Sequence, residues 1–494
     1  MLIRREEKSA SLAMKMEECT YMRLGILAVS SILICFYTTS SIDFLIMFRP
    51  KFDTTLSFEQ KAFVYEKMIR AFRKMDHSCE RQGVYCKRPE TQHVDCGRVL
   101  QGDKDYLSTL TGPSRIPLIP DPYLNMSCKA INSRIRPHHL HFDPLKLSGT
   151  AFARIVYTDY EFIEKQIQVS YHPQNYFCFA VDKKSPEEFH EKMRKLADCL
   201  PNVIMLPATE SYDSEGHNNN LAHYKCMQTL ISRPGWSYLM LLQQHDVITK
   251  SVYELDRIFE LLGGANDLWM SKETARRRNK KLKWTPRALK MFGNDSAISE
   301  EVLDSELKFS SGYVQGSLPR NTVEWMVRKV DLSVFIDQWN QSKYGGDEQY
   351  LTSLNINPAL GMPGHFTDEC LNQDVPVPGI TRFSRWAPGS SKYCATKKVR
   401  NELCIFGIED FRGVSGIPAL MFNKMIPAFD YSIVECTAEL IFNRTFLGQV
   451  NDAFDEEYYK NLVTVQYHRY HNEPGYLLNC TSDYTPMEYD KYLL

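Results

Sequence analysis

Residues 151–185 read AFARIVYTDYEFIEKQIQVSYHPQNYFCFAVDKKS. Residues 151–157 form a buried-strand pattern, 161–169 a helical one, and 175–181 a second strand ended by Asp182-Lys183-Lys184. Downstream, Ser185 is placed to cap a helix over 186–199, with Pro186 at its first position and Glu187 and Glu188 in its first turn. A third strand is expected at 202–206, a helix at 220–232, an apolar strand at 236–242 and a helix at 251–262. This alternation predicts an α/β layer with a mainly parallel central sheet. Ligands of such sheets sit at the carboxyl ends of the strands. Asp182 and Asp246, the latter closing Gln243-Gln244-His245-Asp246, occupy two of those ends.

Upstream, 24–42 is a run of 19 uncharged residues, extended after Asp43 by Phe44-Leu-Ile-Met-Phe48. About 20 apolar residues span a bilayer as a helix. Arg4, Arg5, Lys8, Lys15 and Arg23 precede the run, and only Arg49 and Lys51 follow closely. The positive-inside rule then gives a cytosolic tail at 1–23, a signal anchor at 24–48 and a lumenal body. The alternative is a cleaved signal peptide, but the run is long for one and no A-x-A site stands out. Residues 49–145, with a proline-rich stretch at 113–122, are expected to form a stem.

The chain has 494 residues, 43% of them hydrophobic and 24% charged, with 59 Lys+Arg against 60 Asp+Glu. Those values exclude a disordered or polytopic membrane protein and argue against nucleic-acid binding through bulk charge. Twelve of the 14 cysteines lie beyond the anchor, as do the sequons at Asn125, Asn294, Asn340, Asn443 and Asn479. Both features suit an oxidising lumen. A cytosolic protein with free or metal-bound thiols would be the competing account, but no C-x-x-C pair and no Cys/His spacing for zinc occurs.

Four motifs occur in order: Phe177-Cys-Phe-Ala-Val-Asp-Lys-Lys-Ser185, Leu239-Met-Leu-Leu-Gln-Gln-His-Asp246, Gly346-Asp-Glu-Gln-Tyr-Leu-Thr352 and Val399-Arg-Asn-Glu-Leu-Cys-Ile-Phe-Gly407. With them the chain resembles glycosyltransferase family 14, the core 2 β-1,6-N-acetylglucosaminyltransferase group, over roughly 96–436. The resemblance implies a GT-A-like catalytic domain at 146–436, a C-terminal extension at 437–494, and a Golgi type II membrane protein. It implies inverting transfer from a UDP-sugar to a glycan hydroxyl without a metal ion or other cofactor.

Residue by residue, the resemblance makes Glu348 the catalytic base, and Arg400 and Lys424 the cations that neutralise the diphosphate. Asp182, Ile155 and Val156 fall at the uridine, and Asp246 at the donor site. A guanidinium fork and an ammonium suit a diphosphate, and a carboxylate must reach the acceptor hydroxyl to take its proton. Asp347 is read as a structural neighbour or helix cap. One carboxylate, Asp246, is few for a hard cation, and Asp103-Lys104-Asp105 precedes the first strand. The resemblance also pairs Cys96 with Cys436, Cys128 with Cys199, Cys178 with Cys226 and Cys394 with Cys404; Cys79 with Cys86 and Cys370 with Cys480 complete a guess.

The acceptor side departs from the family. Trp269 stands where the family has a glutamate, and the tryptophan-x-tyrosine pair becomes Trp386-Ala387-Pro388. Trp269 and Trp386 are therefore the acceptor candidates. The basic run from Arg276 to Lys283 is read as a solvated loop, or as a contact for an acidic acceptor. The expected activity is β-1,6-branching transfer of N-acetylglucosamine to O-glycans or related glycans. The alternatives are a transferase of another UDP-sugar, glucose or xylose, and a catalytically inactive glycan-binding protein.

Overall fold

A computed structural model describes residues 84–136, 140–274, 277–450 and 454–481. The chain divides into two compact units, Met1–Met68 and Ile69–Leu494, and all described residues belong to the second. The expected tail and anchor, Cys79 and Arg276 lie outside the described residues. Among those described, no helix is long and apolar enough to cross a membrane.

The strands, in chain order, are β1 Gly149–Val156, β2 Tyr176–Val181, β3 Val203–Met205, β4 Trp236–Leu242, β5 Val247–Ile248, β6 Met270–Lys272, β7 Ser310–Gly312, β8 Ser317–Pro319, β9 Arg382–Phe383, β10 Val399–Arg400, β11 Leu403–Cys404 and β12 Met421–Phe422. The main sheet runs β3-β2-β1-β4-β8. Its first four strands are parallel and β8 is antiparallel to β4. Every residue of β1 is buried, because helices cover both faces of a parallel sheet. Phe152 and Val156 pack on one face with Phe162, Ile163, Phe177 and Met240. Ala151, Ala153 and Ile155 pack on the other with Leu239, Leu241 and Met227. Among the described residues three smaller sheets follow: β5-β12-β9, β6–β7 and β10–β11.

The covering helices are Tyr160–Ser170, Glu187–Cys199, Asn219–Leu230 and Val252–Leu262, within a few residues of their expected bounds. In Glu187–Cys199, Phe189, Met193 and Leu196 are buried, a stripe at helical spacing. Ser185 does not cap this helix; Pro186 stands at the N-cap, without a side-chain hydrogen bond. Asp182 has already closed a turn there, its carbonyl accepting the Ser185 amide at 3.0 Å and its carboxylate the Lys184 amide at 2.8 Å. Ser251 does cap its helix, in a reciprocal box with Glu254.

Residues on both sides of the sheet segment join its core. Val94, Val99, Leu118, Ile131 and Ile135 belong to the same apolar cluster as Phe152, and so do Tyr459, Leu462 and Val465. The helix Ser432–Phe446 runs through position 436. Within it Glu435, fully buried, accepts from the Thr91 hydroxyl at 2.8 Å and the Arg88 amide at 3.0 Å, and pairs with Lys165 at 3.2 Å. Among the described residues five disulfides form: Cys96–Cys436, Cys128–Cys199, Cys178–Cys226, Cys370–Cys480 and Cys394–Cys404. The remaining expected pair involves Cys79, outside the described residues. Asn125, Asn294 and Asn479 are exposed, whereas Asn340 and Asn443 are half-buried. Asn340 also exchanges hydrogen bonds with Asn218.

Candidate active site

The sheet reverses its order around β1, which pairs with β2 on one side and β4 on the other. The crevice beyond the carboxyl ends of β1 and β4 is where such sheets bind ligands. Ile155 and Val156 end β1 and are buried. Asp182 follows β2, its amide on the Val156 carbonyl at 2.9 Å and its carboxylate accepting from the Tyr212 amide at 3.3 Å. At the end of β4, Gln244 accepts from the Tyr157 amide at 2.8 Å and donates to the Thr158 carbonyl at 2.8 Å, tying the two strand ends together.

Asp246 has no exposed surface. Its carboxylate accepts from the Gln243 amide at 2.6 Å, Asn423 Nδ2 at 2.7 Å and Gln315 Nε2 at 3.1 Å. It therefore holds Asn423, the residue before Lys424. Lys424 and Arg400 lie close enough to repel one another. Burial and then Arg382 and Arg400 push the Lys424 ammonium down to about 8, against a pull from Asp246. Arg400 is exposed on β10 and hydrogen-bonds to Tyr157 at the end of β1. The β10–β11 hairpin that carries it is closed by Cys394–Cys404, and the Phe406 amide donates to the Lys424 carbonyl at 3.0 Å. Three separate segments thus deliver cations and Tyr157 to one place.

Glu348 is the second residue of the helix Asp347–Asn355. Its carboxylate is a quarter exposed and is paired to the Arg277 guanidinium, which also lies 5.3 Å over the Tyr344 ring. Asp347 is buried and bonded to Asn219 Nδ2 at 2.8 Å. Burial and then the charge of Glu348 push its carboxyl up to about 6, as fits a structural neighbour. Gly216 permits that close packing: a Cβ there would stand 2.2 Å from Asp347 Oδ1, and its φ is +101°. The basic run is divided: Lys280, Lys281 and Lys283 are exposed, as a solvated loop would have them, whereas two of its arginines are engaged. Arg277 holds Glu348, while Arg278 bonds to Glu273 at 2.8 Å and covers the Phe309 ring at 4.0 Å. Asp103 caps a helix by accepting the Tyr106 amide at 3.0 Å.

The two acceptor candidates meet through a residue that the sequence did not signal. Trp269 stacks on Tyr313 with centroids 4.9 Å apart and rings 21° from parallel. Trp386, 46% exposed, donates its indole N–H to the Tyr313 hydroxyl at 3.2 Å. The antiparallel register Met270↔Gly312 between β6 and β7 sets Trp269 across from Tyr313, and no local pattern encodes that register. Thr352 of the Glu348 helix donates to the Ser310 carbonyl of β7 at 3.0 Å, so one antiparallel strand pair supports both the aromatic group and the carboxylate. Arg382 joins this side to the cations. It lies 4.4 Å over the Tyr313 ring and donates to Asn423 Oδ1 at 2.9 Å.

The chain matches the Core-2/I-Branching enzyme family over residues 150–415. A β-1,3-galactosyl-O-glycosyl-glycoprotein β-1,6-N-acetylglucosaminyltransferase of Bos taurus is 24% identical over 370 residues, 71% of this chain and 85% of that protein. The Homo sapiens protein of the same name is 24% identical over 369 residues, covering 70% and 84%. Transferase 4 of that name from Danio rerio is 25% identical over 298 residues, covering 58% and 68%. Among solved structures, a mannosyltransferase of S. cerevisiae aligns over 56% of this chain and 81% of its own at 11% identity and a TM-score of 0.19, too remote to bear on the fold. The family match spans more than half of the chain, from the first strand of the parallel sheet past the hairpin that carries Arg400, and the chain is a glycosyltransferase of the Core-2/I-Branching enzyme family.

Proposed function

We propose that this chain transfers N-acetylglucosamine from its UDP conjugate to a glycan hydroxyl, branching O-glycans or related glycans in β-1,6 linkage, by single displacement with inversion and without a metal ion. The observation that carries the reading is the convergence of Arg400, Lys424 and Tyr157 at the strand ends. The names of the relatives support the donor sugar and the linkage. On this reading the main sheet is the nucleotide half of a GT-A-like fold. Asp182 and the ends of β1 hold the uridine, and Asp246 acts at one remove by fixing Asn423.

Glu348 Oε takes the proton of the acceptor hydroxyl. The hydroxyl oxygen bonds to the anomeric carbon as the bond from that carbon to the β-phosphate oxygen breaks. The electron pair leaves on UDP, where Arg400 and Lys424 offset the charge that develops. Arg277 orients Glu348. Trp269, Tyr313 and Trp386 offer aromatic faces to the acceptor, in place of the carboxylate that the resemblance would have there.

Five disulfides support an oxidising compartment. With the 24–48 run as a single anchor, the catalytic body works in the Golgi lumen. The test is transfer in EDTA with a panel of UDP-sugars and mixed O-glycan acceptors. Turnover with UDP-N-acetylglucosamine is expected. Turnover with UDP-glucose or UDP-xylose alone would replace the donor, and dependence on a divalent cation would overturn the metal-free mechanism.

A further inference from the structure

Gln244, His245 and Asp246 sit side by side after β4, and two of the three are fully engaged. Gln244 spends its amide on the end of β1, and Asp246 its carboxylate on Gln243, Asn423 and Gln315. His245 differs. Its residue is only 7% exposed and its carbonyl is fixed by the Met425 amide at 3.2 Å. Among the described residues neither ring nitrogen has a hydrogen-bond partner. Unlike Arg154 Nη1, neither nitrogen is sealed from solvent, so the ring can reach a ligand at the strand ends. Tyr157 meets the ring edge-on, 5.9 Å between centroids at 82°.

The charged groups that face the imidazole are Lys424, Arg400 and Arg154. Arg154 is itself buried on β1. Its Nη2 donates to the Asp246 carbonyl at 2.9 Å, and its Nη1 has no partner among the described residues. The cluster therefore has three cations, an unmatched imidazole and an unmatched guanidinium N–H. The adjacent carboxylate, Asp246, is already committed. A diphosphate supplies both what the cations need and what the unmatched nitrogens need.

We propose that His245 is a further ligand of the donor, giving a neutral N–H hydrogen bond to a diphosphate oxygen between Arg400 and Lys424. The inference rests on the reading of those two residues as the diphosphate clamp. Burial, then Lys424, Arg400 and Arg154, push the imidazole down to about 3, so it is neutral at working pH. It adds a directional donor without adding another mutually repelling cation.

The test is calorimetric titration of the full-length, detergent-solubilised protein with UDP and with uridine, in EDTA at pH 7. His245→Phe keeps a ring and removes the N–H; His245→Gln keeps an N–H. The Phe variant is expected to bind UDP about tenfold more weakly, with uridine affinity and thermal midpoint unchanged, and Gln to recover part of the loss. Should Phe prevent folding, the pair His245→Leu and His245→Gln makes the same comparison. Undiminished UDP affinity in the Phe or Leu variant overturns the proposal while leaving the clamp standing, as does an equal loss for uridine. A wild-type protein that binds UDP no better than uridine overturns the clamp and this proposal together.

Discussion

On the proposed reading, Lys424 should make UDP binding pH-dependent in a window set by its surroundings. Its ammonium sits at about 8 rather than the ordinary 10.5, because it is largely buried and faces Arg382 and Arg400. The cation is the form that binds a diphosphate, and a bound diphosphate draws the pKa back up. Affinity is therefore full below about 8 and is lost as the pH rises through it. Above pH 7 the terminal phosphate of UDP is already ionised, so the protein supplies the remaining dependence. Half of the Lys424 side chains are neutral at pH 8 and about ten in eleven at pH 9, given the value near 8. The expected losses of affinity are about twofold and about tenfold. The ceiling, from the distance between 8 and 10.5, is roughly 300-fold. Calorimetry in EDTA at pH 7, 8 and 9 reads this directly, along with uptake of a fraction of a proton near pH 8.5. Lys424→Arg keeps its charge throughout and should flatten the profile. A wild-type affinity that stays level from pH 7 to 9, or a fall that persists unchanged in the Arg variant, would show that Lys424 is not the titrating clamp.

Glu348→Gln should lower transfer by about 10²–10⁴-fold while UDP affinity stays put; a matching loss of UDP affinity would count against its role as base. Tyr313→Ala removes the ring that Trp269 stacks on and the hydroxyl that Trp386 bonds to. It should raise the acceptor KM about tenfold with UDP affinity unchanged, and a loss confined to UDP would move the aromatic group to the donor side. Asn125, Asn294 and Asn479 are exposed, each accepting at Oδ1 the amide of the hydroxyl residue two positions on, at 2.9, 3.1 and 3.0 Å. Endoglycosidase digestion should release N-glycans from these three sites, with Asn340→Gln leaving the gel mobility unchanged; a shift in that variant would refute the assignment.

The long parallel strands were legible because they are largely apolar on both faces: β1, β2 and β4 stand out as runs of six to eight residues broken only by Thr150, Arg154 and Ser237. The sheet β5-β12-β9 was not, since two-residue strands carry no period, and its partners lie far apart in sequence. Val94, Val99, Ile131 and Ile135 sit on helices of five and eight residues, Cys96–Leu100 and Cys128–Ile135, or beside them. So few turns give the burial of these side chains little periodic signal. Ser185 looked like a cap by composition, but Asp182 had taken its backbone into a turn. In the site, Glu348, Arg400 and Lys424 were reachable only through resemblance, because alone each is an ordinary surface residue. Tyr313, the Arg277–Glu348 pair and the bridging Arg382 arise from strand register and tertiary approach, which one sequence does not express.

The hairpin that presents Arg400 has a small apolar core of its own. Ala387, Cys394 and Cys404 are its buried members, with Val399 packed against them. Two of the three are halves of one disulfide, whose closure over a sequence separation of 10 is worth about 3 kcal/mol on chain-entropy grounds. Oxidation of the two thiols to this bond thus gives the hairpin its centre. A newly made chain that is still reduced already carries Glu348, Lys424 and Arg400, but the segment that aims Arg400 has yet to gain its centre. On the proposed reading, the half of the enzyme that grips the nucleotide is completed only in an oxidising compartment, so arming it would be tied to arrival there.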